Sequence, residues 1–256
     1  MNKIIYVILG LVLLIGLGFG GYYLYNSWTE ETVIGDDNGD VNDTNDGKPQ
    51  IVRSDFYENF RDGELDSFWL WNDGGLSDNF YDVDYVKEEL TLNAGARTSQ
   101  WTSTDTAPVL SFLTDQDYQL TVSMIFSPKV DFQHAGIGLF DTSNNKWIRI
   151  SRAYDSHALE TDLDIADSVY VMERDDIDGV KKYKHVNFID SKIYLRMTKD
   201  GEKVSFDYSR DGTSWSFLDQ VERIGLSRET QPYVFVYSTE MVPVKTVIRE
   251  IQFNLK

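Results

Sequence analysis

Residues 157–167 read HALETDLDIAD and place Glu160, Asp162 and Asp164 at every second position. Alternate side chains of a β-strand share a face, so these three carboxyls project together, opposite Leu159, Thr161, Leu163 and Ile165. A pair of carboxyls flanking a glycosidic bond is the apparatus of glycoside hydrolysis, and its retaining form needs them about 5–5.5 Å apart. Glu160 and Asp164 stand four strand residues apart, about 13 Å along the backbone. Their side chains would have to converge, and aspartate is one methylene short for that. The same alternation is what a half-buried strand needs, acids in water and apolar side chains in the core. That second reading requires no chemistry.

Aromatic rings stack on the apolar faces of sugar rings, and large rings also fill cores. Trp69 and Trp71 sit two residues apart and share a face. Trp71 borders the polar run Asn72, Asp73, Gly74, Gly75, and Trp101 borders another. Trp147 shares a strand face with Arg149 in KWIRISR. Trp71, Trp101, Trp147 and Arg149 are therefore the candidate ligand contacts. Arg149, Arg152 and Arg196 are expected to pair with the acids at 160–164, or to orient an acidic sugar where they line a cleft. A structural calcium is the one metal with a candidate site, at Asp175, Asp176 and Asp178 in ERDDIDG, which also reads as an acidic turn. Near Asp43, Asn45, Asp46 and Gly47 the EF-hand spacing is off by one residue and its final Glu is absent. Zinc is disfavoured: there is no cysteine, and His134, His157 and His185 lack metal-ligand spacing. No phosphate-binding or nucleophile-elbow motif is present, so no cofactor is expected.

The elements that must position these residues are short strands. YQLTVSMIF (118–126), HAGIGLFD (134–141), KWIRISRA (146–153), KIYLRMTK (192–199), KVSFDYS (203–209), PYVFVYS (232–238) and VIREIQFNL (247–255) alternate apolar with polar residues. Turn residues separate them at intervals of about 8–12, the signature of an all-β sandwich or barrel. Asp200-Gly201 is expected to close a hairpin as a type I′ turn, and Asp211-Gly212 the next.

Four stretches occur in a telling order: DFYENFRDGELDSFWLWN (55–72), AGIGLFDTSNNKWIRISRA (135–153), YLRMTKDGEKVSFDYSRDGTSW (194–215) and the closing REIQFNL. Together they resemble the concanavalin A-like lectin/glucanase superfamily, most of all the sandwich domain at the C-terminus of β-xylosidases. The resemblance covers about residues 54–256 and implies two antiparallel sheets in a jelly roll, one concave, in a fold that often binds carbohydrate. By resemblance to the jelly-roll glucanases, Glu160 would map to the nucleophile and Asp162 to its helper. Asp164 would then stand where those enzymes carry a glutamate acid/base, and the aromatic residues flanking their motif are missing here.

Residues 4–25, IIYVILGLVLLIGLGFGGYYLY, are uncharged and long enough to span a bilayer of about 30 Å as a helix. Tyr22, Tyr23, Tyr25 and Trp28 follow where an interfacial aromatic belt belongs, and Lys3 precedes. An uncleaved anchor over 1–28 is favoured over a signal peptide. Residues 29–52 hold seven acids and one lysine, which makes them an extended acidic linker. Asn42 is a formal glycosylation acceptor. The net charge is −18, and since Lys3 is the one charge before residue 29, the remainder carries −19. Such a chain repels nucleic acid. The expectation is a single-pass protein of the cell membrane, with residues 53–256 outside as a jelly-roll domain that binds a glycan or glycosylated surface; the alternatives are a retaining glycoside hydrolase using Glu160 and a non-catalytic protein-interaction or structural domain.

Overall fold

The computed structural model describes residues 49–100, 106–141, 146–154, 167–175, 179–223 and 226–256. They fall within one compact unit, Gly47–Lys256. The expected anchor, most of the linker, Trp101, Glu160, Asp162, Asp164, Asp176 and Asp178 lie outside the described residues. No described helix is long and apolar enough to cross a membrane.

The described residues form fifteen strands in two antiparallel sheets. The first runs β13 (Trp215–Glu222), β12 (Lys203–Ser209), β11 (Lys192–Asp200), β6 (Tyr118–Ile125), β15 (Val244–Leu255), β4 (Glu89–Ala94) and β3 (Phe80–Asp84), with β1 (Phe56–Glu58) on the far half of β15. The second runs β10 (Gly179–Asn187), β9 (Asp167–Asp175), β8 (Lys146–Tyr154), β7 (Gln133–Asp141), β14 (Thr230–Ser238), β5 (Val109–Ser111) and β2 (Leu70–Asn72). The sandwich expected from the strand pattern is therefore present.

The core lies between the sheets. Leu120, Val122 and Met124 of β6 and Ile193, Leu195 and Met197 of β11 meet Ile137, Leu139, Ile148, Ile150, Val234 and Val236 of the second sheet. Each side chain so buried contributes about 1.5–3 kcal/mol of hydrophobic stabilisation. An aromatic cluster closes one part: Phe56 stacks on Phe253 at 5.2 Å, and Trp69 meets Phe112 edge-on at 5.2 Å.

The two sheets differ in their outer faces. Along β11 burial alternates residue by residue, as expected where one face meets water. Along β8, by contrast, every residue from Trp147 to Ala153 is buried, and β14 is almost the same. The second sheet therefore carries a second apolar layer on the side away from the core, built from Trp147, Tyr170, Met172, Tyr233, Phe235 and Tyr237.

One local expectation is corrected. Asp200 pairs with Lys203, so the β11–β12 turn is centred on Gly201 and Glu202. Only Gly201 there has positive φ, at 58°, which is the type II′ pattern rather than type I′. β9 ends at Asp175 and β10 opens at Gly179, and the calcium candidates Asp176 and Asp178 between them lie outside the described residues. No group of three or more His, Cys, Asp or Glu side chains among the described residues is placed to hold a metal ion.

Candidate functional site

The site grows from the outer layer of the second sheet. Strand parity points Trp147 and Arg149 of β8 away from the core, while Ile148 and Ile150 point into it. Across the sheet, Phe140 of β7 is the partner of Trp147, and Gly138 is the partner of both Arg149 and Tyr233. A methyl group on Gly138 would sit 2.4 Å from Tyr233 Cζ. The glycine is what lets the tyrosine ring lie flat across β7.

Arg149 is fully buried in this layer. Its guanidinium carbon lies 4.1 Å from the Trp147 ring centroid, 4.9 Å from Phe235 and 5.0 Å from Tyr237. Nη2 donates to Tyr237 Oη at 2.7 Å, and Nη1 donates to Gln100 Oε1. Tyr237 stacks in turn on His134 with centroids 4.5 Å apart, and Tyr170 Oη is 2.8 Å from His134 Nδ1. Gln100 comes from the segment after β4, which Thr98 holds to the sheet: its N–H donates to Ser238 O at 2.8 Å, and its Oγ1 accepts from Ser238 N at 2.9 Å.

Beside this cluster is a recess of about 200 Å³. Trp147, Phe140 and Tyr233 are its aromatic walls; Asn72, Gln100, Ser111 and Gln231 supply its polar groups. Their hydrogen bonds fix which atom each amide presents. Asn72 Oδ1 accepts from Gly74 N at 2.9 Å, so its NH2 group remains available. Gln100 Oε1 is taken by Arg149, so what its amide has left to offer is the NH2 group. Gln231 Nε2 donates to Ser111 Oγ at 2.8 Å, leaving its carbonyl. No carboxylate, amine or imidazole lines the recess among the described residues, so it offers hydrogen bonding and ring contact without acid–base groups. A second recess, of about 350 Å³, lies by Val242 and Val247 and has no aromatic wall.

The structure thus brings Trp147 and Arg149 together. Trp71 is separated from them: its register partner is Leu110, and it packs against the inner core with its ring 5.1 Å from Tyr81. Its neighbour Asn72 reaches the recess instead. Asp175 ends β9, and its two companions in the calcium candidate, Asp176 and Asp178, lie outside the described residues. The arginines do not share one set of acids. Arg152 faces the core side, pairs with Asp167 and has its pKa pulled down by burial. Arg196 pairs with Asp207 at 3.1 Å and lies over Trp215 at 4.1 Å. Gln100, Ser111, Gln231 and Tyr233 were not anticipated; the paired glycines of AGIGLF are the signal that would have pointed to this face.

The fold defines a concanavalin A-like sandwich, and its outer layer carries a small aromatic-walled recess. The family described as "Beta xylosidase C-terminal Concanavalin A-like domain" matches residues 57–236, and the chain belongs to it. No curated protein matches in sequence. Among solved structures, the chain is similar to a functionally unknown protein from Saccharomyces cerevisiae (13% identity, 73% of this chain and 96% of that one, TM-score 0.58). It is also similar to the GH43 protein BlXynB from Bacillus licheniformis (15% identity, 78% of this chain, TM-score 0.60), of whose length it spans 39%. A third likeness is the CBM2 module of the evolved Dit of Lactobacillus casei BL23 phage J-1 (10% identity, 78% and 96% of the two chains, TM-score 0.50).

Proposed function

We propose that this domain is a carbohydrate-binding module without catalytic activity, held outside the cell by the segment at 4–25 and lifted from the membrane by the acidic linker. The observation that carries this reading is the recess: three aromatic walls around amide and hydroxyl groups, with no described carboxylate. That combination suits a sugar, whose ring carbons meet aromatic surface and whose hydroxyls exchange hydrogen bonds with amides. Family membership supports the same reading. At about 200 Å³ the hollow is below the ~300–1,000 Å³ usual for larger ligands. It takes one ring, a chain end or a branch, rather than a length of polymer.

Affinity electrophoresis of the full-length chain through gels holding a panel of polysaccharides tests this, with and without calcium. Retardation by at least one polymer, lost in Trp147→Ala, is expected. Equal mobility in every gel would sink the glycan reading. Shortening of a retained polymer would overturn the non-catalytic part, with Glu160→Gln as the next variant.

A further inference from the structure

Three cations are buried among the described residues: Arg149, Arg152 and Lys199. Two have carboxylates, Asp167 for Arg152 and Asp117 for Lys199. Arg149 has none among the described residues; its hydrogen bonds there go to a neutral amide and a neutral phenol, and its Nε is buried without a described acceptor. Aromatic faces and two neutral acceptors offset part of the cost of burying that charge, but an unpaired buried cation stays expensive.

The charge is relayed to the recess. A cation donating to Gln100 Oε1 polarises the amide and makes the NH2 of this recess-lining residue a stronger donor. Asn72 presents a second NH2 there. Gln100 and Asn72 thus give the recess amide donors, one of them backed by positive charge, beside the Gln231 carbonyl as an acceptor. A carboxylate has the complementary chemistry: negative, planar, with two accepting oxygens.

Resting on the glycan reading above, we propose that the ring taken by the recess is a uronic acid, its carboxylate received by the NH2 groups of Gln100 and Asn72, with Arg149 behind Gln100 as the positioning residue and countercharge. The net charge of −18 works against a polyanion at low salt. At physiological ionic strength the Debye length is about 8 Å, so the distant acids are screened while Arg149 acts at close range.

The test uses the full-length chain in a non-ionic detergent without a sugar headgroup, at that ionic strength. Retardation is compared in polygalacturonate, in polyglucuronate and in the carboxyl-reduced form of each, where CH2OH replaces the carboxylate. At least one acidic polymer is expected to hold the protein about tenfold more tightly than its reduced form, the margin of a charge-assisted over a neutral hydrogen bond. Arg149→Met should abolish the margin. Should that variant fail to fold, Gln100→Glu carries the test: its carboxylate would pair with Arg149, hold or raise the melting temperature, and remove the preference for acidic polymer. Equal retention of acidic and reduced forms would leave the glycan reading standing and overturn the uronate assignment. So would tighter retention by a sulfated neutral polymer. Retention by no polymer, neutral ones included, would bring down both.

Discussion

Arg149 lies across Trp147, its guanidinium carbon 4.1 Å from the ring centroid, on the side of the second sheet that faces away from the core. Two residues apart on one strand, they share a face by strand geometry alone. What makes the pair a site is the rest of the layer: Tyr237 and Gln100 fix the guanidinium, and Phe140 and Tyr233 complete the hollow beside the indole. Trp147 thus belongs both to packing and to the recess, and its substitutions separate the two roles. Trp147→Ala should lower stability by about 3–5 kcal/mol and abolish retardation in the polysaccharide gel. Trp147→Phe keeps much of the packed volume, so it should lose far less stability while still weakening binding. Urea unfolding and gel mobility measured on the same two variants check both; full binding by Trp147→Ala would remove this ring from the site.

Gly138 is the least replaceable residue of the floor. The 2.4 Å approach to Tyr233 Cζ leaves no room for a methyl group, and the Arg149 Cβ stands 2.9 Å away on the other side. Gly138→Ala must lift the tyrosine ring or part the strands, with a penalty of about 1–3 kcal/mol. Ligand binding should fall with it, since Tyr233 is a wall of the recess. Wild-type stability and binding in this variant would show that the ring can move aside freely.

Asp117 and Lys199 give a different kind of prediction. Lys199 Nζ donates to Asp117 Oδ1 at 2.6 Å, with the lysine side chain 4% exposed and the aspartate 39%. The aspartate also accepts from Gly201 N at 3.0 Å, anchoring the β11–β12 turn. Asp117→Ala strands a cation in the core and should destabilise by about 3 kcal/mol or more. Lys199→Met removes the cation itself and leaves a carboxylate that water can reach, so it should be clearly milder. Denaturant midpoints decide the order; equal losses would mean that the lysine stem, not its charge, matters there.

Much of the sandwich is legible in the sequence because most strands have one wet face. KIYLRMTK alternates in composition as β11 alternates in burial. β9 was harder to see, since Ser168 to Met172 are buried on both faces and no alternation survives. The position of Trp71 was not readable either. β2 has three residues, and its parity is set by pairing with Leu110, a residue 39 positions away. The recess suffers most from this. Asn72, Gln100, Ser111 and Gln231 arrive from separate segments, and each alone reads as an ordinary solvated polar residue. Gly136 and Gly138 are the local exception, because alternate glycines on a strand mark a face where something large must lie close.

Arg53 and Asp115 join the segment before β1 to the connection between β5 and β6, and they set an acid limit on stability. Arg53 Nη2 donates to Asp115 Oδ2 at 2.8 Å, and Gln116 Nε2 donates to Oδ1 at 2.6 Å. The hydrogen bonds from Arg53, then that from Gln116, pull the carboxyl from its ordinary 3.8 down to about 2. A carboxylate whose pKa is lower folded than unfolded adds stability that is complete above the unfolded value. That stability fades as pH falls through the folded value. The contribution of Asp115 should therefore be nearly constant from neutral pH to about 4, fall most steeply between about 4 and 2, and be small at about 2, disappearing only below that. Asp115→Asn loses the ion pair at every pH, so it should be less stable than wild type by a fixed amount down to about pH 4, and the two should converge below that. Urea unfolding at several pH values between 7 and 2 measures the gap. A gap that persists unchanged to pH 2 would show that the pair contributes through shape and neutral hydrogen bonds rather than through charge.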